Sequence, residues 1–93
     1  MSNVKIRIPQ VQRKITNNQS IVDVAGKTVA EAIDDLIKQF PELEKRIKNV
    51  EGEINKFLII ALNNEDIRYN DKQLQAEVKD GDEISLIPMA AGG

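Results

Sequence analysis

Thr28 and Glu31 form a capping box ahead of an apolar series at Val29, Ala32, Ile33, Leu36, Ile37 and Phe40. That spacing places the whole series on one face of a helix. Pro41 restricts its predecessor and closes the helix near Gln39 or Phe40, while Asp34 and Lys38 stand at the favourable i, i+4 spacing on the solvent side. An apolar helix face must be buried against another layer, and the segments around it read as short strands. Val4, Ile6 and Ile8 alternate with Lys5 and Arg7, the pattern of a half-buried strand that ends at Pro9. Ile21 to Val24 reads as a second strand, forming a hairpin with the first. Its connection is long, with an irregular excursion around Gln12 to Ile15 and turn chemistry at Asn17-Asn18. Ala25-Gly26-Lys27 breaks the strand before the helix.

Beyond the helix, Glu42 to Lys48 adds a short helical turn whose charges are mixed in sign, as on a solvated face. Phe57 to Leu62 is apolar on both alternating faces, and one helix can cover only one of them. Leu58, Ile60 and Leu62 are expected to face the core, and Phe57, Ile59 and Ala61 to look outward, either under a shielding loop or as an open face. Asn63 to Asp66 is dense in turn formers; a brief strand at Ile67-Arg68-Tyr69 follows, then a turn at Asn70-Asp71, with Leu74 and Val78 plugging the core. Asp80-Gly81-Asp82 turns tightly into Glu83 to Ile87, whose alternation buries Ile84 and Leu86 and leaves Glu83, Ser85 and Ile87 outside. Pro88 ends the ladder because it has no N–H to donate. Phe57, Ile59 and Ile87, bordered by Lys5, Arg7 and Arg68, form a candidate partner surface, since exposed apolar patches mark interaction sites.

This order of elements is an α+β fold in which one main helix packs across a mixed sheet, with the first and last strands side by side at its centre. The 93 residues suit a single modest core, divided here into a domain over 1–88 and a flexible tail over 89–93. The chain has no cysteine and no histidine, which removes disulfides, thiolate nucleophiles, histidine acid–base chemistry and most zinc sites. The expectation is a protein that is not itself an enzyme and binds no cofactor. A net charge of −2 argues against wholesale electrostatic binding to nucleic acid. No apolar stretch approaches the roughly 20 residues that span a bilayer, and Met1 to Lys5 lacks a signal-peptide core, so the expected compartment is the cytoplasm. Gly92-Gly93 follows the last strand after Pro88, Met89, Ala90 and Ala91. An extended chain from Pro88 reaches roughly 20 Å, long enough to enter another protein's active site.

The element order, Gly26-Lys27-Thr28, Asn63 to Arg68, and the run from Asp80-Gly81-Asp82 through Ile87-Pro88 to Ala91-Gly92-Gly93 resemble the ubiquitin-like β-grasp proteins, specifically the sulfur carriers of the ThiS/MoaD type. The resemblance spans nearly the whole chain. It implies a carrier whose C-terminal carboxylate, on Gly93, is adenylated by an ATP-dependent enzyme of the ubiquitin-activating type and converted to a thiocarboxylate, with Gly92 and Ala91 entering the partner's cleft. In cysteine-forming relatives the acceptor is an activated serine on a pyridoxal-phosphate-dependent cysteine synthase, and a metalloprotease trims the product.

The residues suit that chemistry. A carboxylate ionised at pH 7 is a poor electrophile and needs activation as a mixed anhydride before sulfur can be attached. A chain without cysteine cannot carry sulfur as a persulfide, and a glycine end leaves the carbonyl unhindered. Molybdopterin and thiamine sulfur donors share the frame. So do ubiquitin-like modifiers joined to lysine, and a plain β-grasp interaction module stands as a third class.

Overall fold

The structure is a computed structural model that describes residues 2–89; Met1 and residues 90–93 lie outside the described residues. β1 (Ser2–Arg7) and β2 (Ile21–Gly26) pair antiparallel, from Ser2 opposite Gly26 to Arg7 opposite Ile21. α1 (Val29–Gln39) follows, then a 3-10 turn at Pro41–Leu43 and the short α2 (Glu44–Ile47). β3 (Leu58–Leu62) and β4 (Glu65–Asp66) form a tight hairpin, and β5 (Glu83–Pro88) runs parallel to β1 and antiparallel to β3. The sheet order is β2-β1-β5-β3-β4. This is the expected β-grasp, with the first and last strands adjacent at its centre.

α1 is set by its sequence. Thr28 Oγ1 accepts the Glu31 N–H at 3.2 Å, and Glu31 Oε1 reaches back to the N–H of Lys27, one residue earlier than a standard capping box. The first helical N–H, on Val29, donates to Ala76 O at 3.0 Å, satisfying one of the donors that a helix start leaves open. Val29, Ala32, Ile33 and Leu36 are buried against Val4, Ile6, Val22, Val24, Ile60, Ile84 and Leu86 in one core. Full burial of a side chain the size of Val29, Ile33 or Leu36 contributes about 1.5–3 kcal/mol. β2 runs two residues past the expected end at Val24, and its last residue explains the glycine: a Cβ on Gly26 would lie 2.7 Å from Ala32 N and 3.0 Å from Glu31 C. Only a residue without a side chain lets the first turn of α1 approach the strand so closely.

Several local expectations are corrected. The brief strand expected at Ile67-Arg68-Tyr69 is a 3-10 turn, and the pairing strand is Glu65–Asp66. Asn63 and Asn64 both adopt positive φ, at 50° and 73°, and reverse the chain in two residues, so pairing resumes at once with Leu62 opposite Glu65. Asp66 then accepts the Arg68 N–H and caps the 3-10 turn. Asp34 bonds Lys48 at 3.1 Å, bringing α1 to the end of α2, rather than its helical neighbour Lys38. The turn at residues 42–48 does expose Glu42, Glu44, Lys45 and Arg46, yet it also buries Leu43 and Ile47 completely. In the excursion between β1 and β2, Thr16 is buried, its hydroxyl bonded to Gln19 O at 2.9 Å, while Val11 is 77% exposed. No helix among the described residues is long and apolar enough to cross a membrane.

Candidate functional site

The chain leaves the sheet from its middle. β5 lies between β1 and β3, and its ladder does not stop at Pro88 as expected, because Met89 N–H donates to Phe57 O at 2.7 Å. N–H groups alternate in direction along a strand, so with Met89 turned to β3 the missing donor of Pro88 faces the β1 side, beyond Arg7, the last β1 partner. Met89, assigned to the tail from sequence, is thus hydrogen-bonded to the platform. Ala91, Gly92 and Gly93 lie outside the described residues, so the structure fixes their point of departure, beside Phe57, and nothing further about them.

The face of the sheet not covered by α1 is ordered in rows. Asp23, Lys5 and Glu83 form one row across β2, β1 and β5; Ile21, Arg7, Ser85, Ala61 and Asp66 form the next across all five strands. One step nearer the exit, Ile87 stands opposite Ile59, and Phe57 and Met89 follow. The face therefore grades from charged, far from the exit, to apolar beside it. Phe57 is 51% exposed and Ile87 45%, with Ile59 half-buried between strands. Ala61, expected to look outward, is on this face but buried, since a methyl group between Ser85 and Asp66 is overshadowed by its neighbours. On the core side Leu58 and Ile60 are buried and Leu62 is half-buried.

The three cations expected to border the patch are all on or beside this face, and each has a carboxylate partner. Lys5 Nζ lies 2.9 Å from Asp23 Oδ1, Arg7 Nε 2.9 Å from Glu83 Oε1, and Arg68 Nη2 2.7 Å from Asp66 Oδ2. Arg68 side-chain hydrogen bonds, reinforced by its backbone N–H, hold the Asp66 carboxyl below the usual carboxylate range, and Asp66 raises the Arg68 guanidinium in turn. Asp23, Glu83 and Asp66 were missed from sequence, although strand parity places Asp23 on the same face as Lys5 once the hairpin register is known. Met89, 41% exposed, and Ile21, 37% exposed, were also missed. Met89 shares the parity of Ile87 and Ser85 and was hidden by treating Pro88 as the end of the strand.

Among the described residues no cluster of histidine, cysteine or carboxylate groups is placed to hold a metal. A hollow of about 700 Å³ lined by Glu44, Lys45, Val50 and their neighbours shares no residue with the open face. What the arrangement offers is an apolar surface beside the point where the chain leaves the sheet after Met89.

The sequence model of the ThiS family matches residues 6–93. The chain belongs to the ThiS family. The match runs from the last two residues of β1 through Gly93 and takes in Arg7 and every apolar row of the open face. Sulfur carrier protein CysO of Mycobacterium tuberculosis is 31% identical over 93 residues, covering 98% of this chain and 99% of that protein. Among solved structures, a chain of the Amycolatopsis orientalis BexX/CysO complex superposes with a TM-score of 0.85 at 36% identity, covering 97% of this ThiS-family chain and 99% of the other. The small archaeal modifier protein 1 of Methanosarcina acetivorans superposes at 0.87 with 25% identity, covering 100% and 98%. The resemblance to ubiquitin-like sulfur carriers expected from the sequence holds for both fold and family.

Proposed function

We propose that this protein is a sulfur carrier of the CysO type, acting as the substrate of other enzymes and not as an enzyme, with Gly93 as the reactive end. In this reading a Gly93 carboxylate oxygen attacks the α-phosphorus of ATP on a ubiquitin-activating-type adenylyltransferase, releasing pyrophosphate. Sulfide then attacks the acyl carbon and displaces AMP, leaving a thiocarboxylate. On a pyridoxal-phosphate-dependent cysteine synthase the thiocarboxylate sulfur bonds to the β-carbon of an activated serine and displaces its activating group, so that the new cysteine stays joined to the Gly93 acyl group until a metalloprotease hydrolyses it away. The observation that carries the reading is a family match that continues through Gly93 in a chain leaving its sheet at the apolar end of the open face. Phe57, Ile59 and Ile87 are the surface on which the activating enzyme docks, while Gly92 and Ala91 enter its cleft. The cytoplasm, where ATP is abundant, is the compartment that fits. ATP is consumed on the partner, and the carrier itself keeps no cofactor.

The test is intact mass after incubation with the activating enzyme, ATP and sulfide. The expected product has one oxygen replaced by one sulfur, assigned to Gly93 by fragmentation, and reacts with a thiol-selective alkylating agent that the cysteine-free chain cannot otherwise consume. Deleting Gly93, or Gly92→Val, abolishes pyrophosphate exchange and leaves folding unchanged. The similarity to a small archaeal modifier protein favours a second reading, conjugation to lysine. An activated end found only in amide linkage to other proteins, with no alkylatable sulfur, selects that reading.

A further inference from the structure

The open-face patch is one side of the chain's exit; the other side is the β1–β2 connection. β1 and β5 are parallel and β3 runs against them, so residues 8–20 and the start of β3 stand at the end of the domain where Met89 departs. Val11, at 77% exposure, joins Ile21, Phe57, Ile87 and Met89 at this end. Among the described residues the two other exposed large apolar side chains are Val50, in the connection before β3, and Tyr69, in the 3-10 turn after β4. Single exposed apolar side chains are ordinary, but a cluster on one end of a small domain marks a contact surface.

Charge is divided in the same way. Residues 8–20 contain Arg13 and Lys14 and no carboxylate, and Lys56 stands across the exit with its Nζ 5.7 Å from the Phe57 ring centroid. Glu53, which lines a hollow together with Lys56 and Phe57, is the nearest acid in sequence. None of these three cations has a carboxylate within ion-pair distance among the described residues. The opposite end, formed by the turns at 63–66 and 77–82, carries Glu65, Asp66, Glu77, Asp80 and Asp82 against Lys79 and the adjoining Lys27. The net charge of −2 thus conceals a basic exit end. The connection is also held in shape: Thr16 is buried, Arg13 Nε donates to Ile8 O at 3.3 Å, and Asn17 and Asn18 take positive φ to close the loop. A loop ordered in this way displays Val11 without a further ordering cost on binding.

We infer that the β1–β2 connection is the second half of a docking collar around the exit, with Val11 seated in an apolar recess and Arg13, Lys14 and Lys56 facing carboxylates on the rim of the activating enzyme's cleft. The inference rests on the proposed carrier function and names the surface chemistry of that partner. Oppositely charged rims steer encounter, and the advantage falls with ionic strength.

Pyrophosphate exchange measured against carrier concentration tests it. Lys14→Glu with Lys56→Glu touches two exposed side chains and spares Arg13 and its bond to Ile8. The expected result is a KM for the carrier raised roughly tenfold at about 50 mM salt, with the difference under about twofold near 0.5 M. Val11→Ser should raise KM about threefold or more at both salts, with kcat and the KM for ATP unchanged and the unfolding midpoint of either variant as in the wild type. Exchange by the wild type with the same KM in both variants overturns the collar alone, as does a shift confined to the KM for ATP, which would turn the cations toward the nucleotide. No exchange by the wild type overturns the carrier function and this choice of partner with it.

Discussion

Ile59 and Ile60 are neighbours on β3 with the same side-chain composition, and the sheet sends them to different fates. Ile60 is 2% exposed beneath α1, in a layer with Ile6, Ile84 and Leu86, all within 3% of full burial. Ile59 is half-buried on a face with no helix, opposite Ile87. The covered face satisfies itself by close packing. The open face neutralises its charges on itself, Lys5 with Asp23 within one row and Arg7 with Glu83 across two, and leaves its apolar residues for something else to cover. Exposed ion pairs of this kind contribute little to stability. Their effect is to leave the apolar rows as the part of the face with most to gain from a partner.

The sharpest way to break this comparison is to place the same charge on each side of β3. Ile60→Asp buries an unpaired carboxylate and should cost more than about 4 kcal/mol, a large share of a small domain's total stability. Ile59→Asp should cost about 1–2 kcal/mol and remain folded, as read by urea unfolding followed by circular dichroism. Equal losses would mean that both faces are core. A second test addresses the contact that brings α1 onto the covered face. Gly26→Ala forces the strand and the first turn of α1 apart and should lose about 1–3 kcal/mol; an unchanged unfolding midpoint would show that the helix relaxes away at no cost.

The smaller effects belong to the open face. Lys5→Ala should cost about 0.2–1 kcal/mol, with the loss shrinking in high salt, because both members of its pair are well exposed. A loss that is larger and salt-independent would give the charged rows a structural role like that of the core. The smallest effect concerns Asp66, whose carboxyl is held below its ordinary value of 3.8 by Arg68. A depressed folded-state value contributes stability above 3.8 that is lost as pH falls through the folded value. Any stability advantage of wild type over Asp66→Asn should therefore be flat near neutrality and vanish toward the acid limit. A difference that grows on acidification would reverse the assignment.

Local pattern was sufficient wherever a residue's role depends on its immediate neighbours. The capping box, the apolar face of α1 from Val29 to Ile37, the alternation of β1 and β5, and the turn at Gly81, with φ of 89°, all express spacing along the chain. The inward parity of Leu58 and Ile60 and the outward parity of Phe57, Ile59 and Ile87 follow from the same period of two. The placement of Gly92-Gly93 after the last strand was likewise legible, and so was the family.

Contacts distant in sequence were decided by tertiary structure. Nothing near Gly26 reveals that Ala32 N would meet its Cβ, and nothing near Asp34 selects Lys48 over Lys38 as its partner. Arg7 and Glu83 are 76 positions apart, and their pairing depends on the parallel register of β1 with β5, which no local pattern encodes. The basic end has the same origin, since Arg13 and Lys14 stand across the exit from Lys56 only because three strands bring their ends to one side of the sheet. Sequence periodicity fixes which way a side chain points; strand order and register fix what it finds there, and that second step depends on how the chain closes its core.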